Sequence, residues 1–426
     1  MKTLKQELQD RGLLYQFTND ELFKKFDEGK GSFYCGFDPT ADSLHLGNFI
    51  GFMVGVHLMR RGNKYFALTG GATGMIGDPG GKDSERTFLD EEVLNKNQDK
   101  ISKQMIGIFK NLEDFTKTKF KYDFVNNKDF YKDMNFLDFL RIVGKYITVN
   151  SMISKDTVKK RIEDPDKFIS YTEFSYQLLQ GYDFCKLFKD DSVTLQVGGS
   201  DQWGNLLTGV ELIRKKYDKE VHALTRPLIT DSTGKKFGKS EGNAMFLDKS
   251  KTSPYFIYQY FMNTSDEDIS RYMKMLTLIE TEEVDEIVKK HLKSPEKREG
   301  QRLLAYKIVE IIHSSKEAKL AEKISEFMFG NEDKIELIKS SDKKEIESIS
   351  KEVGGFDYSG ENLFETIVKS GLATSNTDAR KAVESGAIYI NEQKVTDVKY
   401  DFSKDFIDKK YLLLRKGKKN YKIVVK

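Results

Sequence analysis

The chain has 426 residues, and its 70 basic and 67 acidic side chains leave a formal net charge of +3. Roughly two to four domains fit that length, no apolar run reaches the ~20 residues of a membrane-spanning helix, and net charge alone neither requires nor excludes nucleic acid. Two cysteines, Cys35 and Cys185, are too few for a disulfide framework or a four-thiolate zinc site. Residues 1–8 lack the apolar centre of a signal peptide, so a cytoplasmic location is expected.

In chain order, the first half alternates strand-like and helix-like segments, the pattern of a parallel α/β sheet. Ser32–Phe37 reads as a strand, residues 44–61 as a helix stopped by Gly62, and Lys64–Thr69 as a buried strand before the Gly-rich turn 70–74. Residues 123–181 read as a helical insertion, with helices expected over 136–149 and 171–180. A strand at 193–197 then runs into Gly198-Gly199 and a helix over 204–217. Ligands of open α/β sheets bind beyond the carboxyl ends of the strands, where the polar clusters fall here.

The pattern changes near residue 249. Ser253-Pro254 and Ser294-Pro295 each predict an N-cap with proline at the first helical position, and Ser265 with Asp268 predicts a capping box. Leu303, Leu304, Ile308, Ile311 and Ile312 repeat at helical spacing. The expected organisation is an α/β domain over 1–248, an all-helical domain over 249–335, a charged linker over 336–360 and a small α+β module over 361–426.

Two motifs carry chemistry. In Asp42-Ser43-Leu44-His45-Leu46-Gly47-Asn48, Asp42 or Ser43 is expected to cap a helix with His45 in its first turn. His45 and Asn48 then share a face at an anion-favouring N-terminus, and Gly47 lets a ligand approach the backbone, which suits an ATP phosphate chain. No Walker pattern is present. The second motif, Lys235-Lys236-Phe237-Gly238-Lys239-Ser240, places two lysines around a glycine as a clamp for charge growing on a departing pyrophosphate. Alone, a lysine-rich loop is usually a solvated turn; the pair of motifs is far more specific than either. Tyr176, Gln180 and Asp183 follow the i, i+4, i+7 spacing that turns polar side chains into one pocket. His57, with no companion motif, reads as structural.

His45-Leu46-Gly47-Asn48 and Lys236-Phe237-Gly238-Lys239-Ser240 resemble the two signatures of class I aminoacyl-tRNA synthetases. The segments 34–40, 74–79, 171–183 and 196–205 narrow the resemblance to the bacterial-type tyrosyl-tRNA synthetases, and it runs essentially end to end. One departure is Asn48, where the signature more often has a second histidine; an amide can still donate a hydrogen bond to ATP.

The resemblance implies a Rossmann-like catalytic domain with a helical insertion, a helical anticodon-binding domain and a C-terminal RNA-binding module. It implies that tyrosine and ATP, brought with Mg²⁺ and without zinc, form tyrosyl-adenylate, and that tRNA(Tyr) then accepts the tyrosyl group. Tyr34 and Asp183 match the positions that hold the substrate phenol; Asp78, Tyr176 and Gln180 match those that hold its ammonium group. Asp38, Gly199, Asp201 and Gln202 match ribose and carboxylate contacts, with Cys35, Gly36 and Thr40 beside ribose and phosphate. Lys82 and Arg86 join His45, Gly47, Asn48, Lys236 and Lys239 around the phosphates. In the terminal module Arg380, Lys381 and Lys394 match RNA contacts. Arg415, Lys416, Lys418 and Lys419 lie in the stretch 411–426, whose charged residues are all basic, and are expected on strands presented to RNA. A homodimer is the expected assembly. Two other readings compete: a tryptophanyl enzyme, against which the hydroxyl-reading pair Tyr34–Asp183 argues, and a non-catalytic RNA-binding protein, against which the two ATP motifs argue.

Overall fold

The computed structural model describes residues 2–80, 90–230, 232, 234, 237–240, 243–417 and 420–426. The expected Lys82, Arg86, Lys236, Lys418 and Lys419 lie outside the described residues. Packing divides the chain into two units, one of residues 1–253 with 260–314 and one of residues 254–259 with 315–426.

The first unit is built on a six-stranded sheet. Its strands are β1 (Gln16–Phe17), β2 (Ser32–Phe37), β3 (Lys64–Thr69), β4 (Lys121–Asn126), β5 (Leu195–Gly199) and β6 (His222–Arg226), in the order β1-β6-β5-β2-β3-β4. All neighbours are parallel except β1, which runs antiparallel to β6. Parallel strands are covered on both faces, and β3 accordingly buries every residue from Tyr65 to Thr69. The five parallel strands end on one side, which gathers Asp38, Gly70, Asn127, Ser200 and Arg226 at one edge. Gly70 is required there: a Cβ would overlap the Asp38 carboxylate and the Thr73 hydroxyl.

The helix Leu46–Arg60 buries every residue from Phe49 to Met59. It is apolar all round because it packs on the sheet and on the helix Asp266–Leu276. It starts two residues later than expected, and His45 is its N-cap rather than a first-turn residue. His45 Nδ1 accepts from the Asn48 amide at 3.3 Å, while the His45 amide donates to Asn48 Oδ1 at 3.0 Å. Asp42 is instead paired with Lys100 and Lys251, and Ser43 is buried. His57 does have a companion, the Glu7 carboxylate at 2.9 Å.

The expected helix over 136–149 is broken into Phe136–Ile142, a 3-10 turn at Gly144–Tyr146 and the start of Val149–Ile153. The helix expected over 171–180 continues to Asp191, so Tyr176, Gln180 and Asp183 share one rigid element. Ser265 caps Asp266–Leu276 by position only; its hydroxyl donates to the Asp268 carboxylate at 3.1 Å, and no capping box closes. Pro295 opens a 3-10 turn, not an α-helix.

The second unit carries a five-stranded sheet: β9 (Phe356–Asp357), β10 (Ile388–Ile390), β11 (Gln393–Val395), β12 (Tyr411–Lys416) and β13 (Asn420–Val425), ordered β11-β10-β12-β13-β9. In the first unit, β7 (Lys239–Ser240) and β8 (Asn243–Ala244) form a separate two-stranded ribbon. The stretch 336–360, expected as a linker, contains the helix Lys343–Val353, closed by an Asp342–Glu345 capping box and left-handed Gly354. Strand alternation explains its place: Leu412, Leu414 and Val424 enter one core, while Tyr411, Leu413 and Ile423 enter another with Ile346 and Ile349 of that helix. β12 is therefore apolar on both faces for four residues, and its basic residues are confined to the hairpin end.

Candidate active site

The carboxyl ends of the strands open into one cavity of about 270 Å³. Its lining includes Tyr34, Cys35, Gly36, Asp38, Thr40, His45, Asn48, Asp78, Tyr176, Gln180, Asp183, Gly199, Asp201 and Gln202, all singled out from the sequence. Gly47 sits between His45 and Asn48; there a Cβ would stand 3.0 Å from the His45 ring.

One end is buried. Tyr34, on β2, is 1% exposed, packs on Phe184 at 5.3 Å between ring centroids, and its hydroxyl has no hydrogen-bond partner among the described residues. Asp183, also 1% exposed, accepts from Asn127 Nδ2 at 2.9 Å and from the Tyr131 hydroxyl at 3.0 Å. Burial pushes the Asp183 carboxyl up to about 7 against those two hydrogen bonds, with the charge of Asp38 acting in the same direction as burial. The Tyr34 phenol is raised well above its ordinary value, first by burial and then by Asp183. This end is an acceptor and a hydroxyl in an apolar wall.

A chain of hydrogen bonds runs outward from it. Asn127 Nδ2 also donates to Thr73 Oγ1 at 3.0 Å, Thr73 donates to Asp38 Oδ1 at 2.7 Å, and the Tyr176 hydroxyl donates to Asp38 Oδ2 at 2.8 Å. Gln202 Nε2 donates to Asp78 Oδ2 at 2.6 Å, and the Gly80 amide donates to Asp78 Oδ1 at 2.9 Å. Asp38, Asp78, Asp183 and Asp201 make the lining strongly acidic, a fit for an ammonium group. Cys35 is buried, and its thiol is pushed up to about 11, so it is an inert wall.

The other end is open, with His45 exposed at the helix N-terminus. The two signatures meet here. Leu46 N donates to Met245 O at 2.8 Å, Met245 N donates to Gly238 O at 2.9 Å, and His45 bridges Phe246 as an antiparallel pair. Gly238 has a φ of +75°, and a Cβ on it would stand 3.1 Å from Leu46 Cβ and 3.3 Å from the Gly47 amide. Phe237 anchors the loop among Tyr260, Phe261 and Tyr272, with centroids 5.1 Å apart for Tyr272. Lys239 begins β7, which pairs with β8.

Sequence reasoning gave no role to Asn127 and Tyr131, which hold Asp183, or to Thr73 and Arg226, which line the cavity. Asn127 and Arg226 stand at the ends of β4 and β6, so the strand-end rule was the available signal. In the second unit, Arg380, Lys381 and Lys394 are exposed, and Arg380 pairs with Glu384. Arg415 lies 3.7 Å over the Tyr389 ring and pairs with Glu392, while Lys416 donates to the Leu372 carbonyl at 2.7 Å. Those two make contacts within their own unit at the hairpin end of β12.

The model of class I tRNA synthetases (W and Y) matches residues 27–330, and that of the tyrosine–tRNA ligase SYY-like C-terminal domain matches residues 345–424. The chain belongs to the class I tRNA synthetases, in the family that serves W and Y. Its relatives resolve which of the two. The tyrosine–tRNA ligase of Streptococcus suis (strain 98HAH33) is 45% identical over 424 residues, 98% of this chain and 99% of that protein. A C-terminally truncated mitochondrial tyrosyl-tRNA synthetase of Aspergillus nidulans is 31% identical with a TM-score of 0.71, covering 77% of this chain and 95% of that one. A tryptophanyl-tRNA synthetase of Plasmodium falciparum shares only the fold, at 14% identity and a TM-score of 0.52, over 80% of this chain and 87% of that one. Within the class, the chain groups with the tyrosine–tRNA ligases.

Proposed function

We propose that the chain activates L-tyrosine with ATP to tyrosyl-adenylate and pyrophosphate, then transfers the tyrosyl group to the 3′-terminal adenosine of tRNA(Tyr). The observation that carries this reading is the buried end of the cavity, where the Tyr34 hydroxyl without a described partner stands near the Asp183 carboxylate. A substrate phenol donates to Asp183 and accepts from Tyr34. Phenylalanine leaves the Tyr34 hydroxyl unpaired and gives Asp183 no donor beyond Asn127 and Tyr131, so it is rejected on binding.

With the phenol there, Asp78, Tyr176 and Gln180 receive the ammonium group and Gln202 lies towards the carboxylate. Asp38, Gly199 and Asp201 take the ribose, with Cys35, Gly36 and Thr40 beside it. His45, Gly47 and Asn48 take the phosphates together with Lys82, Arg86, Lys236 and Lys239. A carboxylate oxygen of tyrosine attacks the α-phosphorus in line, and the bond to the bridging oxygen of pyrophosphate breaks. No enzyme nucleophile enters; the helix N-terminus and the cationic groups stabilise the charge that moves to pyrophosphate. In the second step a terminal ribose hydroxyl of tRNA attacks the tyrosyl carbonyl and AMP leaves. Mg²⁺ arrives as part of the ATP substrate.

The helices within 249–335 serve the anticodon arm, and the module over 361–426 adds phosphate contacts through Arg380, Lys381 and Lys394. The chain works as a homodimer. Large apolar side chains exposed in the insertion, among them Phe136 at 62%, Leu137 at 69% and Phe168 at 67%, support such a contact. Its place is the cytoplasm; no helix among the described residues is long and apolar enough to cross a membrane. Charging of purified tRNA(Tyr) with tyrosine tests the whole reading: tyrosyl-tRNA should form only with ATP present. Adenylate formation without charging would confine the reading to its first step.

A further inference from the structure

Four carboxylates line the active-site cavity, and among the described lining residues one side chain, Arg226, carries a permanent positive charge. It is the last residue of β6. Its guanidinium lies along the helix Leu46–Arg60: Nη2 donates to the Gly47 carbonyl at 3.3 Å, and a Cβ at Gly51 would stand 3.4 Å from Nε. Nη1 reaches the Pro227 carbonyl at 3.5 Å, the outer limit of a hydrogen bond. Its described hydrogen bonds go to carbonyls alone, and among the described carboxylates Asp201 acts on it through its charge only. Burial pushes the group below its ordinary range, and Cys35 and Asp201 offset that only in part. A half-buried guanidinium with five donors and two weak carbonyl contacts has most of its hydrogen-bonding capacity left for a ligand.

Its position says which part of a ligand. His45 and Asn48 occupy the N-terminal end of the helix, where phosphates are favoured. Gly47 and Gly51 are spaced i, i+4, so the bare backbone strip under the guanidinium runs one turn deeper than that end. Asp201, on the ribose side, is one of the charges that act on Arg226. We propose that Arg226 is an ATP-binding residue that holds the adenosine half of the nucleotide, donating to ribose and purine acceptors with its plane against the base. This rests on the reading of the cavity as a site of tyrosine activation.

The test is tyrosine-dependent ATP–pyrophosphate exchange with the full chain, its Arg226→Met variant and its Arg226→Lys variant, alongside thermal unfolding. In Arg226→Met the KM for ATP should rise about tenfold, the worth of one or two hydrogen bonds, and inhibition by adenosine should weaken by the same factor. The KM values for tyrosine and for pyrophosphate should stay within about twofold, and the unfolding temperature should not fall, since an unpaired charge is replaced by an apolar chain of similar length. Arg226→Lys should recover part of the ATP affinity. An unchanged KM for ATP would overturn the proposal, as would a parallel rise in the pyrophosphate KM, which would move Arg226 to the phosphates. So would a lower unfolding temperature with all three KM values shifted together, which would make the residue structural. Absence of tyrosine-dependent exchange in the unaltered chain would instead strike the reading of the cavity itself.

Discussion

Replacing Tyr34 by phenylalanine removes one oxygen from the buried end of the cavity. The ring keeps its place against Phe184, so packing is conserved. Substrate tyrosine loses one neutral hydrogen bond, about 1 kcal/mol, which lowers kcat/KM roughly fivefold. Phenylalanine loses nothing, because it never paired with that hydroxyl. The preference for tyrosine over phenylalanine should therefore fall roughly fivefold, at the expense of the tyrosine rate. Stability should move the other way. The hydroxyl is buried with no described partner, and such a group costs about 1–3 kcal/mol, so Tyr34→Phe should be as stable as the parent or more stable. Exchange kinetics with both amino acids, paired with denaturant unfolding, read the two effects separately. A destabilised variant with an unchanged tyrosine-to-phenylalanine ratio would show Tyr34 to be a core aromatic and refute the reasoning.

Asp183→Asn should cut kcat/KM for tyrosine about 10- to 100-fold, the worth of one charged hydrogen bond, and a variant with full activity would remove Asp183 from the site. The same substitution should change how stability depends on pH. Asp183 is raised from 3.8 to about 7 by burial, so its stabilising contribution is present below 3.8 and lost as pH rises through 7. His57 is lowered from 6.5 to about 4, again by burial, so its contribution is present above 6.5 and lost as pH falls through 4. The two slopes oppose each other over one window, about 3–4 kcal/mol each by the shifts, so these two contributions largely cancel from pH 4 to 6.5. In Asp183→Asn stability should climb more steeply with pH across that window than in the parent; an unchanged slope would contradict the Asp183 assignment, and a flat profile in the variant would contradict that of His57. Gly238→Ala should lower kcat about tenfold, because a Cβ at a φ of +75° is strained by about 1–2 kcal/mol and presses on Leu46 and Gly47. An unchanged kcat would mean that the contact between the two signatures carries no catalytic geometry. Arg380→Ala with Lys381→Ala should raise the KM for tRNA and reduce the salt dependence of its binding, with adenylate formation unaffected. Equal loss of both activities would point to a folding role.

Much of the cavity lining was legible because its side chains come in short runs: His45 to Asn48, and the polar face Tyr176, Gln180, Asp183. What escaped were residues that act singly. Asn127 holds Asp183, yet it follows β4 with no motif around it. Arg226 looks like the end of an ordinary strand until the sheet brings it to the Gly47–Gly51 backbone. The misplaced helix start has a chemical cause. Serine, threonine and aspartate are the usual caps, which favoured Ser43 and Asp42, whereas a histidine nitrogen and an asparagine amide close the box here. The stretch 336–360 was hidden by its charge: Ile346, Ile349 and Val353 are the few apolar residues of the helix Lys343–Val353, and they are legible as a stripe only once β12 and β13 face them. Composition likewise showed Arg415 and Lys416 only as part of a basic run; that they rest on a glutamate, a tyrosine ring and a carbonyl of the same unit is visible only in the fold.

The central claim is that the buried end of the cavity selects tyrosine for activation by ATP. Amino-acid-dependent ATP–pyrophosphate exchange across all twenty amino acids measures it directly. Exchange with tyrosine alone, with phenylalanine far below it, is the expected result. Exchange driven by tryptophan, or by no amino acid, would contradict it.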